Sequence, residues 1–252
     1  MSYARASDGI RLHYEVIGRS SATPVLMIQG LGADKHGWDM QRLPLAMQYR
    51  VIALDNRGAG RSDKPFGTYS LEQMADDAIA VLDEVGVEKA HIVGASMGGA
   101  ITQIIGLKYP ERVMSLTLAC TACRNHPWRR ELLMEWADLA ESRGMREFVL
   151  RNLEWMVGPR SLQRLWPAMA VLGPLAFNVP VSSFVAQIQA ILGGDDGLRD
   201  EFPLGYTQPT DGLMSPQYVI SRIGELTGPE GCLLYTSPSP RDSCASRMPS
   251  SA

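Results

Sequence analysis

His91-Ile-Val-Gly-Ala-Ser-Met-Gly-Gly99 decides how this 252-residue chain is read. An apolar run enters Gly94-Ala-Ser96-Met-Gly98, and Ala100, Ile101, Ile104 and Leu107 follow at helical spacing. The order is strand, tight turn, helix. A turn this short forces Ser96 into a strained backbone conformation, and Gly94 and Gly98 leave room where larger side chains would clash. The Ser96 hydroxyl is then expected at a helix N-terminus, where amide N–H groups point at developing negative charge. Gly-x-Ser-x-Gly alone arises by chance in roughly one chain in ten of this length, at ~7% for each residue type. The strand before it and the helix after it give the motif its weight.

The rest of the first half alternates short β-type runs with amphipathic helices, which predicts a mostly parallel sheet covered on both faces. Residues 3–6 and 10–17 read as a hairpin around Ser7-Asp8-Gly9. Residues 24–28 (PVLMI), 50–54 (RVIAL), 90–93 (AHIV) and 113–119 (VMSLTLA) are apolar runs of the kind buried on both sides. Leu71, Met74, Ala78, Val81, Leu82 and Val85 recur at helical spacing, with a capping-box pattern at Ser70 and Gln73 and Gly86 just past the end. From Pro127 to about Gly194 the strand signal disappears. Leu132, Trp136 and Leu139 mark one helix face, and Phe148, Met156, Leu165 and Trp166 suggest further helices. Such an insertion after the sixth strand is expected to form a lid over the strands' C-terminal ends, where these sheets bind ligands.

Composition narrows the classes. The chain is 45% hydrophobic and 20% charged, ordinary for a globular protein, and its net charge of −3 offers no basic face for nucleic acid or an anionic membrane. Residues 1–9 lack the apolar core of a secretory signal. The longest apolar stretch, 168–181, is interrupted by Pro174, Asn178 and Pro180, short of the about 20 unbroken residues that a spanning helix needs. Four cysteines without an export signal predict reduced thiols and a cytoplasmic location.

Two more segments fit the same architecture. Gln29-Gly30-Leu31-Gly32 follows the run at 24–28, and Asp55-Asn56-Arg57-Gly58-Ala59-Gly60-Arg61-Ser62-Asp63 follows the next. With this order of strand, Gly loop, D-x-R-G-x-G-x-S and G-x-S-M-G-G, residues 1 to about 200 resemble the α/β-hydrolase superfamily, notably its esterases, methylesterases and enol-lactonases. The resemblance implies an α/β-hydrolase fold, with a mostly parallel sheet and a helical cap. It implies Ser96 as nucleophile, the backbone N–H groups of Leu31 and Met97 as the oxyanion hole, and Gly30, Gly94 and Gly98 in support. Asp55 and Arg57 would brace the loop beside the site, as a structural pair and not as acid and electrophile. The family often has His-Gly where this chain has Gln29-Gly30; the donor is a backbone amide, so the hole should survive.

Ser96 also narrows the reaction. A serine ester intermediate needs an acyl carbonyl, which leaves ester, thioester or lactone hydrolysis and disfavours dehalogenation or epoxide opening by an aspartate. The expected partner is a small ester or lactone, with no metal, no organic cofactor, no nucleic acid and no membrane; the oligomeric state stays open. Cys120-Thr-Ala-Cys123 has redox spacing but ends a strand instead of opening a helix, and no second pair completes a zinc site. His91 is expected to be a core histidine. The cap tryptophans Trp128, Trp136, Trp155 and Trp166 are expected to pack, with one or two lining an acyl pocket.

The superfamily's order is Ser, then Asp or Glu, then His. The four histidines are His13, His36, His91 and His126, so no general base lies where that order requires one, and Ser96 has no assigned proton acceptor. His126 is not taken as a substitute. Residues 202–231 lack the apolar runs that would complete the sheet and resemble a stretch of the acetolactate synthase large subunit, a thiamin-diphosphate enzyme. A competing reading makes Asp211 an imitation of the hydrolase acid loop. Residues 232–242 (CLLYTSPSPRD) resemble a translated sequencing adaptor: tgtctcttatacacatct encodes Cys232 to Ser237. Residues 246–252 (SRMPSSA) fit the flank beyond a sample index.

The expected organisation is a hydrolase core over 1–126, a helical cap over 127–200, a foreign or poorly packed segment over 201–231 and an artefactual disordered tail over 232–252. The sheet would be truncated before its last strands, and the serine hydrolase impaired by loss of its acid and histidine. Two rivals stand beside this reading: a non-catalytic binding protein of the same fold, and a chimera assigned to acetolactate synthase.

Overall fold

The sheet begins with a hairpin. In the computed structural model, which describes residues 2–122, 127–156, 179–201 and 232–233, β1 (Ser2–Arg5) pairs antiparallel with β2 (Arg11–Ile17). The turn is closed by the Gly9 N–H donating to the Ala6 carbonyl at 2.9 Å. β3 (Pro24–Ile28), β4 (Arg50–Leu54), β5 (Ala90–Ala95) and β6 (Val113–Ala119) follow, and the strand order is β1-β2-β4-β3-β5-β6. β4, β3, β5 and β6 run parallel; the hairpin joins them antiparallel through β2 and β4. Val25 to Ile28 and Val51 to Leu54 are buried throughout. That explains why these two runs are continuously apolar and do not alternate.

The two faces of the sheet are unequally covered. α2 (Leu71–Val85) and α3 (Met97–Lys108) bury one face with Leu71, Met74, Ala78, Val81, Leu82, Ile101, Ile104 and Ile105. The Ser70 hydroxyl accepts the Gln73 N–H at 3.0 Å, and Gly86, at φ 70°, ends α2, as the capping pattern predicts. On the other face, α1 (Asp39–Leu45) follows the 3₁₀ turn Lys35–Trp38, and a smaller core of Val25, Met27, Trp38, Val51 and Ala53 lies there. Among the described residues, the expected cover of both faces is not seen at β5 and β6. Among the described residues His91 and Val93 are only half-buried and Met114 is 49% exposed, because no described helix lies over them.

Two described helices lie where the cap was expected. α4 (Pro127–Met156) is broken at Gly144 (φ 81°, ψ 165°) into two segments, and α5 (Val181–Glu201) packs on it. The buried face of α4 is set by Leu133 and Ala140, with Trp136 and Leu139 half-buried against the same core. That is one residue out of phase with the expected start at Leu132. Trp136 meets Phe148 edge-on at 5.6 Å, and Phe148 meets Phe184 of α5 at 4.7 Å. Trp128 is 47% exposed and so does not pack in the core. Leu165, Trp166, His126, Cys123 and Asp211 lie outside the described residues, as does the segment resembling acetolactate synthase. β8 (Cys232–Leu233) pairs antiparallel with β7 (Thr121–Ala122). An open edge accepts backbone partners whatever their sequence. No described helix is long and apolar enough to cross a membrane, and no described cluster of His, Cys, Asp and Glu could hold a metal ion.

Candidate active site

Ser96 stands between β5 and α3 with φ 53° and ψ −116°. Among the described residues only Cys120 (φ 50°) shares a positive φ without being glycine. Such a conformation costs of order 1–3 kcal/mol and persists only when its surroundings enforce it. Here they do. The Ser96 N–H donates to the Ala119 carbonyl at the end of β6 (2.9 Å), and the Ser96 carbonyl accepts from Gly99 and Ala100 in the first turn of α3 (3.0 and 3.2 Å). The side chain makes no capping bond to the helix, so the hydroxyl is not consumed by the turn that presents it.

The glycines around it are required by contact. A Cβ on Gly94 would strike the Gly98 carbonyl and the Thr102 hydroxyl; one on Gly98 would strike the Ile28 carbonyl and sit 2.7 Å from that of Gln29. Gly99 is equally tight, 2.6 Å from the Thr121 Cβ, although the sequence did not single it out for this reason. The first turn of α3 is thereby pressed onto the end of β3. A Cβ on Gly30 would lie 3.1 Å from the Ser96 Cβ and 3.7 Å from its Oγ, which brings the 29–32 loop against the serine as expected.

Side-chain amides hold that loop on both sides of Leu31. The Gln29 Oε1 accepts the Gly30 N–H at 2.9 Å, and the Oε1 of Gln187 in α5 accepts the Gly32 N–H at 2.9 Å. The Leu31 N–H between them has no hydrogen-bond partner among the described residues. Met97 N–H opens α3, where no acceptor one turn back exists. The Asn56 side-chain amide donates to the Gln29 carbonyl at 2.9 Å and ties the loop to the end of β4.

Asp55 and Arg57 both brace this region, but not as a pair with each other. The fully buried Asp55 carboxylate accepts the Lys35 N–H (2.9 Å), the Arg61 N–H (3.0 Å) and the Lys35 ammonium (3.4 Å), and faces His13 Nδ1 at 3.0 Å. Arg57 instead forks onto Asp77 of α2 with two bonds of 2.6 Å and reaches Asp8 at 3.0 Å. Burial pulls the guanidinium down, yet the hydrogen bonds and charge of Asp77 and Asp8 outweigh it and leave Arg57 above its ordinary pKa. The expected mutual pair fails because each buried charge found a closer opposite charge on another element.

The three described histidines are engaged away from Ser96. His36 Nδ1 faces Asp39 at 3.1 Å, and His91 Nδ1 faces the Ser115 hydroxyl at 2.7 Å; His91 is half-buried, not the core histidine expected. His13 is 1% exposed, and burial followed by the Lys35 charge lowers its pKa despite Asp55. A histidine depressed in the folded state binds its proton more readily when unfolded. Stability should therefore fall as the pH drops below about 6.5, the unfolded value, and go on falling until the lower folded value is passed. Urea midpoints measured from pH 7 to pH 5 should decline less steeply in His13→Gln than in the native chain; equal slopes would show that His13 does not set the decline.

Lys35 and His13, which bond to Asp55, and Gln187, which bonds to the 29–32 loop, were missed by motif reading. Only Gln187 left a trace: a polar residue among Phe184, Ile188 and Ile191 on a buried helix face. The same helix touches the second loop, since the Tyr69 hydroxyl lies 3.4 Å from Ser183 Oγ, and a Cβ on Gly58 would meet both residues.

Known proteins resemble this chain in sequence and fold. The model of the alpha/beta hydrolase fold family matches residues 23–161. A protein of Azorhizobium caulinodans with the provisional name carbamate hydrolase RutD is 42% identical over 118 residues, 47% of this chain and 43% of that protein. The 3-oxoadipate enol-lactonase 1 of Acinetobacter baylyi is 32% identical over 142 residues, 56% of this chain and 52% of that one. The chain thus spans about half the length of these curated relatives. The crystal structure of the enol-lactonase from Burkholderia xenovorans LB400 superposes with a TM-score of 0.72 at 26% identity, covering 79% of this chain and 76% of that one. With more than half of its residues inside the family's model and the strand-turn-helix at Ser96 in place, the chain belongs to the α/β-hydrolase fold family.

Proposed function

We propose that Ser96 is the nucleophile of a serine hydrolase that cleaves a small, fairly apolar carboxylic ester or lactone. Its hydroxyl adds to the acyl carbonyl, the alcohol leaves, and water releases the acyl group from the serine. The negative charge of each tetrahedral intermediate falls to the Leu31 and Met97 N–H groups; one such donor is typically worth about 2.7–4 kcal/mol. No metal or cofactor is needed for this sequence of steps. The reading rests on one observation: a non-glycine residue held at φ 53° between strand and helix, with its hydroxyl unspent and Gly30 pressed against it. The enol-lactonase likeness supports a lactone or ester carbonyl as the target.

In this reading the 252-residue chain turns over poorly. His13, His36 and His91 are occupied elsewhere, so no described imidazole takes the serine proton. Loss of such partners leaves only oxyanion and binding contributions, several orders of magnitude below a complete site. A fluorophosphonate probe followed by peptide mapping tests the assignment. Slow labelling at Ser96, absent in Ser96→Ala, is expected; labelling elsewhere would refute Ser96 as the nucleophile, and no labelling would favour a binding protein of the same fold. We also propose that residues 202–231 and 232–252 are foreign to the hydrolase. Continuous genomic sequence through codons 195–252 tests this, and an unbroken native frame would refute it.

A further inference from the structure

We infer that Gln187 is a positioning residue through which cap helix α5 sets the geometry of the oxyanion loop, an inference that rests on Ser96 being the nucleophile. A glutamine with 0% exposure is costly to bury unless both ends of its amide are bonded. Both are. Oε1 accepts the Gly32 N–H at 2.9 Å, and Nε2 donates to the Arg57 carbonyl at 3.0 Å. One side chain thus joins α5 to the loop after β3 and to the loop after β4.

What it holds is specific. Gly32 has φ 69°, and its N–H belongs to the peptide unit that begins at the Leu31 carbonyl. The unit two before it, which ends at the Gly30 N–H, is held by the Gln29 side chain. Two glutamine oxygens therefore fix the peptides on either side of the one whose N–H, that of Leu31, is left for an oxyanion. The two differ in kind. Gln29 adjoins Gly30 and moves with the loop. Gln187 lies on another element, so its bond is the one of the two that fixes the loop relative to the body of the protein. Displacement of α5 withdraws that acceptor and frees the Gly32 end of the loop, while Asn56 still holds the Gln29 carbonyl at the other end. Ser183 one helical turn earlier, beside Tyr69 and Gly58, keeps α5 on the same two loops.

Amide hydrogen exchange on the full chain reads this coupling without relying on turnover. Q187M removes both polar ends at nearly unchanged volume, Q187N withdraws them by one methylene, and Q187E, read at a pH where its carboxyl is protonated, keeps an acceptor for Gly32 and an O–H donor for the Arg57 carbonyl. Q187M and Q187N should speed exchange in residues 29–35 by about tenfold, the factor for one ordinary hydrogen bond. Q187E should stay near the native rate, and residues 71–85 of α2 should be unaffected in all three. Fluorophosphonate labelling of Ser96 should slow about tenfold in Q187M and Q187N and recover in Q187E. Unchanged exchange in residues 29–35, or faster exchange there in all three variants alike, would overturn the inference. Absence of labelling in the native chain would refute the nucleophile assignment instead, and the exchange rates would still decide whether Gln187 holds the loop.

Discussion

Gly98→Ala should cost about 3 kcal/mol or more of folding stability, read as a lowered urea midpoint or as failure to fold. The added methyl would overlap the Ile28 carbonyl and crowd that of Gln29, both backbone atoms that no rotamer change can move aside. Overpacking of a core ordinarily costs 1–3 kcal/mol. Here relief requires shifting α3 off the end of β3, which also opens the turn at Ser96, so the upper end applies. Out of a typical total of about 5–15 kcal/mol the loss is large. Gly193→Ala supplies the contrast. Nothing lies within 4 Å of its Cβ and it sits inside α5, so replacing it should stabilise the chain by about 0.5–1 kcal/mol. Equal effects at the two positions would mean that the α3–β3 contact does not constrain the fold.

Arg57→Ala should be nearly as damaging, at about 3–5 kcal/mol, because it strands Asp77. That carboxylate is 3% exposed and receives two guanidinium bonds of 2.6 Å. Removing the arginine leaves a buried charge without its partner, whereas replacing both residues with apolar ones of similar size removes the charge itself. The double variant Arg57→Met with Asp77→Leu should therefore recover most of the loss. Arg57→Lys should recover only part, since an ammonium cannot repeat the planar fork. A urea-denaturation double-mutant cycle gives the coupling directly, and a single-variant loss below about 1 kcal/mol would show the pair to be dispensable.

Both effects arise from motif glycines and charges, but they were not equally legible. The bounds of β3, β4 and β6 match their apolar runs, and the Ser70 cap and Gly86 terminus of α2 stand where the pattern put them. The elbow was readable because Gly94, Ser96 and Gly98 act on one another within a few residues. Asp55 and Arg57 were recognisable as bracing groups, yet their partners were not. Lys35 lies 20 residues before Asp55, and Asp77 20 residues after Arg57. Nothing local distinguishes these from the other charges of the chain. The face of α4 was misread by one residue for a related reason. Leu132 and Leu133 are adjacent, and which of the two is buried is settled by what the segment before Gly144 packs against.

Local sterics and hydrogen bonds dictate a strand, a tight turn and a helix wherever the required residues are adjacent in the chain. That much the amino-acid order determined for this protein: an α/β sheet, a serine at its elbow and a glycine loop to face it. Which oxygen holds the Gly32 amide and which histidine faces Asp55 were decided only by the tertiary fold. So was the exposure of Met114 on β6 among the described residues. A buried polar group must be paired, but its partner is whichever group folding brings within 3 Å, from 42 residues away for His13 and Asp55 and 155 for Gly32 and Gln187.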